Sequence, residues 1–181
     1  MNLDEIIIGC KKQSITHQKE LYLIYSKTLF NLSLKYCTSF TEAEDNLHDS
    51  FMEIYQSIVK YQNKGSFEGW IKRITINKAI NKFNKRSNFK SIDEYQNIEY
   101  EEFDVTESGL SLDILLNLIQ QLPNQYRLVF NLYELDDYSH KEIAKLLNIS
   151  EGTSKSNLSK AKAILKKNIL GFQPNKIQNG E

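Results

Sequence analysis

Four side chains near the C-terminal end, Thr153, Ser156, Asn157 and Lys160, recur at i, i+3, i+4 and i+7. On a helix that spacing puts them on one face. Hydroxyl, amide and ammonium groups in a row are what base edges and phosphates meet in a duplex groove. Asn157 carries the amide that can pair bidentately with an adenine edge, a contact worth about 1–3 kcal/mol of discrimination. Lys155, Lys162, Lys166 and Lys167 add charge for phosphates. The same pattern also suits the solvated face of a small helical domain. A second cluster lies in the first half of the chain. Lys72, Arg73, Lys78, Lys82, Lys85 and Arg86 follow one another with no acid between Glu68 and Asp93. Asn77, Asn81 and Asn84 are interleaved, and Tyr61 and Phe67 flank the preceding loop. Cations beside aromatic rings suit unpaired bases, where stacking contributes about 1–3 kcal/mol per base. Trp70 lies in a partly apolar stripe and reads as core. A third group, Asp45, His48, Asp49 and Met52, shares one helix face. A mixed acidic and apolar stripe can dock a basic partner, or simply face water.

Bond-making chemistry finds no such constellation. His17, His48 and His140 are scattered without ligand spacing. Cys10 and Cys37 belong to no metal or redox motif and read as small buried hydrophobes. Glu44, Asp45 and Asp49 fall early in a helix, where the macrodipole favours acids. No Gly-rich phosphate loop occurs. No metal or cofactor is expected.

The elements that position these groups are helical. Leu3, Ile6, Ile7 and Cys10 predict a short first helix, and Leu21, Tyr25, Leu29, Leu32 and Tyr36 a long second one. Thr41 and Glu44 make a Thr-x-x-Glu capping signature after a turn at 38–40. Leu47, Phe51, Ile54 and Ile58 give the helix that follows its apolar face. Residues 61–66 read as a loop, and a basic helix runs from about Phe67 to Lys85. In the second half, Leu122-Pro123 stops a helix that reaches Gln121. Another helix carries Tyr126, Val129, Phe130 and Tyr133. Ser139-His140-Lys141-Glu142 is a second capping signature. Its helix packs through Ile143, Ala144 and Leu147 and turns at Asn148-Ile149-Ser150 into a last helix with Ser154, Leu158, Ala161 and Leu165 inward. A capped helix, a short turn and a polar-faced second helix make a helix-turn-helix signal.

The 181 residues allow one ordinary domain or two small ones, with enough chain for a core without disulfides. Seven glycines and two prolines favour long helices over a β sandwich. The net charge of zero hides a strong partition. Residues 1–90 hold 14 Lys/Arg and 9 Asp/Glu, a balance of +5; residues 91–114 hold 8 acids and no base, −8; residues 115–181 hold 9 and 6, +3. Two basic lobes thus flank an acidic connector. The expected organisation is all-α: a helical domain over 1–90, a flexible acidic linker over 91–110, a helix-turn-helix domain over 111–172 and a disordered tail over 173–181. No apolar run spans a bilayer and no signal pattern opens the chain, so a cytoplasmic protein without membrane insertion is expected.

Nearly the whole chain resembles the extracytoplasmic-function sigma factors of bacterial RNA polymerase, within the sigma-70 superfamily. Glu42-Ala43-Glu44-Asp45 with Phe51 is similar to the family's polymerase-binding helix. Phe67-Glu68-Gly69-Trp70-Ile71, then Arg73-Ile74 and Asn77, is similar to the helix that reads the −10 element. Leu122-Pro123, Arg127, Phe130, Ser139 to Leu147 and Ser150 to Ser156 are similar to the −35-binding domain. The resemblance implies a transcription initiation factor that takes core polymerase to promoters and helps melt them. It implies polymerase contact at Asp45, His48, Asp49 and Met52. It implies −10 contact at Asn63, Lys64, Arg73, Asn77 and Lys78, and −35 contact at Thr153, Lys155, Ser156, Asn157 and Lys160. Its partners would be core polymerase, promoter DNA and an anti-sigma protein, with no small-molecule substrate. His48 stands where the family usually has Gln, Ser154 where Val is common and Asn157 where Arg is common. A free-standing helix-turn-helix regulator and an interaction protein without initiation activity remain the alternative readings.

Overall fold

The computed structural model describes residues 2–87 and 112–171. The expected acidic linker and tail lie outside the described residues. The chain divides into two compact units, Met1–Ile92 and Asp93–Glu181, and each is built from helices.

In the first unit, α1 (Leu3–Lys11) opens on a reciprocal cap: Asn2 Oδ1 accepts from Glu5 N–H, and the Glu5 carboxylate accepts from Asn2 N–H. It turns Ile6, Ile7 and Cys10 inward against α2 (Ile15–Tyr36). The close approach requires Gly9, because a Cβ there would sit 2.1 Å from His17 Cγ. On α2 the expected stripe is the buried one: Leu21, Tyr25, Leu29, Leu32 and Tyr36. Burying Leu21 and Leu29 fully stabilises the unit by about 1.5–3 kcal/mol each.

The next helix, α3 (Phe40–Ser57), starts two residues earlier than the Thr41 signature predicts. Ser39 Oγ, not Thr41, caps it by accepting from Glu42 N–H, and the Glu42 carboxylate returns to Thr38 N–H. Both positions carry the Ser/Thr-x-x-Glu pattern. The earlier one places Phe40 edge-on to Phe30, ring centroids 5.0 Å apart. A 3₁₀ turn, Ile58–Lys60, closes α3, a loop covers 61–66, and α4 (Phe67–Ser87) follows. Asn46 is fully buried where α2, α3 and α4 meet. Its Nδ2 donates to Ser33 Oγ at 3.0 Å and to the Thr75 carbonyl at 3.2 Å, which fixes the register of three helices with polar groups.

In the second unit, α5 (Leu112–Gln120) ends before Leu122-Pro123, where proline excludes the helical conformation of its predecessor. The buried Arg127 of α6 (Asn124–Phe130) donates from Nη1 to Gln120 Oε1 at 3.0 Å, tying α6 to the end of α5. The path then widens into a π-helical turn, Asn131–Leu135. The extra residue breaks the helical line drawn through Tyr126, Val129, Phe130 and Tyr133: the first three are buried and Tyr133 is exposed. The helices α7 (His140–Leu147) and α8 (Glu151–Gly171) complete the unit. Both cysteines are buried thiols.

Candidate nucleic-acid interfaces and docking face

The helix-turn-helix is fixed by three local devices. Ser139 and Glu142 form the expected capping box at the start of α7. Asn148 ends α7 at φ 55°, a left-handed conformation that Asn tolerates better than most residues. Ser150 Oγ then accepts from Thr153 N–H at 2.9 Å and lies 2.8 Å from the Thr153 hydroxyl, starting α8. Between the helices, Ser154 is wholly buried and its Oγ lies 2.9 Å from His140 Nδ1. The Tyr133 ring stacks on His140 with centroids 4.4 Å apart. Burial lowers the His140 pKa, the Lys155 charge adds to that, and Glu151 opposes it.

The outward ridge of α8 is rotated from the expected one. Lys155, Ser156 and Ser159 face solvent, and Thr153 is exposed on the flank beside its cap. Lys160 is half-buried, with its ammonium 6.0 Å from the Tyr126 ring. Asn157 is 6% exposed, so the sequence placement of its amide at a base edge is corrected. It borders Leu158 and Ala161 on the helix surface that packs inward. Ser159 was missed by the sequence reading. The signal for it was there, since Gly152, Ser156 and Ser159 are small residues at helical spacing opposite Ser154, Leu158 and Ala161.

In the first unit, the loop 61–66 carries two residues with positive φ, Asn63 at 56° and Gly65 at 85°. Asn63 and Lys64 are exposed at its tip. Tyr61 and Phe67 are buried at 8% and 4% exposure, which corrects their reading as stacking platforms for bases. With Trp70 they form one aromatic cluster under the loop, each pair of rings 5.2–5.6 Å apart. On α4, Arg73 is exposed and Asn77 half-buried. Lys78 pairs with Glu53 of α3 at 3.1 Å, and Lys82 with Asp49 at 2.7 Å. The structure therefore joins the predicted polymerase residue Asp49 to the basic helix, a link the sequence pattern does not carry.

Asp45, His48 and Met52 are exposed on α3 and Asp49 is half-buried beside them. Next to them lies an open groove of about 410 Å³, lined by Tyr22, Lys27, Phe30, Phe40, Leu47 and His48 among others. Phe40 is 61% and Met52 48% exposed, so the face combines acids with uncovered apolar side chains. Among the described residues no group of three His, Cys, Asp or Glu side chains could hold a metal ion. No described helix is long and apolar enough to cross a membrane.

The two units coincide with two family models: sigma-70 region 2 matches residues 21–89, and sigma-70 region 4 matches 112–165. The chain belongs to the sigma-70 family. Its relatives narrow this to the extracytoplasmic-function group. It is 28% identical over 160 residues to the ECF RNA polymerase sigma factor SigW of Bacillus subtilis, covering 81% of this chain and 85% of that one. It is 27% identical to SigM of the same organism, covering 81% and 91%. It is 26% identical to the ECF sigma-E factor of Salmonella typhimurium, covering 78% and 81%. Among solved structures, the fold is similar to the sigma factor RpoE in its complex with the anti-sigma factor NepR from Bartonella quintana. That match has a TM-score of 0.53 and 19% identity, over 86% of this chain and 98% of that one. CnrH, solved with the cytosolic domain of CnrY, matches with a TM-score of 0.51 and 15% identity over 93% and 97%.

Proposed function

We propose how this sigma factor divides its work. The α3 face with Asp45, His48, Asp49 and Met52 docks on core RNA polymerase. The loop with Asn63 and Lys64, together with Arg73, Asn77 and Lys78, takes the −10 element as it melts. The helix-turn-helix takes the −35 duplex through Thr153, Lys155, Ser156 and Lys160, with Ser159 added from the observed ridge. The observation that carries the −10 assignment is the loop itself. It holds polar tips on a tight turn with positive φ at Asn63 and Gly65, over a closed aromatic base and beside a helix rich in cations. A base held there favours the melted state, as any ligand shifts a two-state equilibrium towards the form it binds. The protein performs no bond chemistry, works in the cytoplasm with the polymerase, and is restrained by an inhibitory protein of the anti-sigma kind. The sigma matches and the mixed apolar and acidic α3 face support this reading.

The test is multi-round transcription with sigma-free core polymerase from the host, fragmented genomic DNA as template and mapped RNA ends. Discrete starts that depend on the protein are expected. Core binding without starts would make it an adaptor, and a duplex shift without core would make it a free-standing regulator. On a promoter so found, Asn63→Ala with Lys64→Ala is expected to lower open-complex formation roughly tenfold while leaving core affinity unchanged. Equal loss of both would remove the loop from the −10 contact.

A further inference from the structure

The first helix lies outside the matched region 2 segment, yet it reaches the loop. Lys11, its last residue, donates from Nζ to the Tyr61 carbonyl at 3.0 Å. The same ammonium sits 5.9 Å from the Tyr61 ring centroid. Tyr61 in turn donates its hydroxyl to the Gly65 carbonyl at 3.0 Å, which closes the loop across its base. The entry and exit of the loop are tied to their own flanks. Tyr61 N–H donates to the Ile58 carbonyl, and Ser66 Oγ accepts from Gly69 N–H. Among the described residues, the Lys11 bond is the hydrogen bond that ties this loop to a helix other than the two it connects. It is a charge-assisted bond in a half-buried setting, which makes it stronger than a neutral pair.

We propose that Lys11 is a positioning residue for −10 recognition: from α1 it holds Tyr61, and through Tyr61 it sets the height and shape of the loop that presents Asn63 and Lys64. The inference rests on the proposed −10 role of that loop. Lys11 does not touch DNA in this account. It acts by removing alternative loop states, so that a captured base does not have to order the loop on arrival. Gly65 has no neighbour within 4 Å of where a Cβ would be, so its side of the loop is not held by packing. That leaves Tyr61, locked between Lys11, Phe67 and Trp70, as the fixed post of the loop.

The chain's single tryptophan, Trp70, lies 5.2 Å from the Tyr61 ring and reports on it directly. The experiment compares full-length wild type, Lys11→Met, Lys11→Arg and Lys12→Met. Met keeps the apolar stem and loses the donor, Arg keeps a donor, and Lys12 is an exposed neighbour that controls for charge. In Lys11→Met, Trp70 emission is expected to shift, and open-complex formation on the mapped promoter to fall about three- to tenfold, less than the full effect of one lost charge-assisted hydrogen bond because Lys11 acts on the loop and not on the base. Discrimination among the four bases at the melted −10 positions should narrow, with core affinity unchanged. Lys11→Arg should recover most of the loss and Lys12→Met should match wild type. Normal base discrimination and normal Trp70 emission in Lys11→Met would overturn the inference. So would an equal loss in Lys12→Met, which would reduce the effect to charge. The loop variant, Asn63→Ala with Lys64→Ala, is run alongside. If it opens promoters normally, the loop reading itself fails; if it is defective while Lys11→Met is not, only the Lys11 inference fails. Should Lys11→Met melt too low to assay, Lys11→Leu, which also lacks a donor, replaces it under the same criteria.

Discussion

At the scale of single residues, the recognition helix shows how much a small rotation decides. Lys155, Ser156 and Ser159 point to water, whereas Asn157 is packed with Leu158 against the inside of its unit. Asn157 Nδ2 is buried with no hydrogen-bond partner, so the donor half of the amide is turned away from solvent. Asn157→Ala is therefore expected to lower stability by about 1 kcal/mol through lost packing and to leave −35 base preference unchanged. Ser156→Ala should do the reverse. Thermal melts and a −35 base-substitution series separate the two, and a changed preference in Asn157→Ala at normal stability would return that residue to the DNA face. The sequence allows this error because residues one and two steps around a helix from an apolar stripe, such as Asn157 beside Leu158, satisfy a polar-face pattern and a core-edge pattern equally. Asn46 is the mirror case. Its neighbours Glu44, Asp45 and His48 read as surface, and only the meeting of three helices makes it a core residue. Ser154 was legible because it stands in phase with Leu158, Ala161 and Leu165.

At the scale of elements, long periodic stripes were readable and local starts were not. The α2 stripe emerged intact because Leu21, Tyr25, Leu29, Leu32 and Tyr36 keep helical spacing along most of this 22-residue helix. The start of α3 slipped by two because Ser39-x-x-Glu42 and Thr41-x-x-Glu44 overlap; the cap bonds form at Ser39 and Glu42, and the Phe40–Phe30 ring contact accompanies them. The π-helical turn had no sequence signal. It sets Tyr133 over His140, and Glu134 within 2.9 Å of Lys162 on α8. His140 thereby becomes the latch between the two helices of the DNA-binding pair, held by Ser154 and Tyr133 with Lys155 and Glu151 as its charged neighbours. Its site favours the neutral ring. The contribution to stability is complete above the ordinary histidine value of 6.5 and declines as pH falls towards the lowered folded value. The melting temperature of the protein is expected to drop more between pH 7 and pH 5 in wild type than in His140→Gln. Parallel pH curves for the two proteins would remove the latch.

At the scale of the whole chain, charge is sorted by segment. Basic residues gather in the two helical units, and seven acids, Asp93, Glu94, Glu99, Glu101, Glu102, Asp104 and Glu107, crowd the stretch between them. A neutral total with this layout is expected to hold the free protein off arbitrary DNA, because an acidic stretch repels the phosphates that basic residues attract. Replacing those seven acids by their amides is expected to tighten binding of the full-length protein to arbitrary duplex DNA by about tenfold at low salt and to steepen its salt dependence. Fluorescence anisotropy across a salt series would measure both, and unchanged binding would mean that the connector does not shape the field met by DNA. The proposed docking face on α3 has a different consequence. Tyr22, Phe40 and Met52 are each more than two-fifths exposed on the free chain. Those side chains gain nothing from water and wait for a cover. The amount of unbound protein that a cell, or a purification, can keep in solution is then expected to follow the supply of that cover. Its abundance becomes a property of its company as much as of its own synthesis.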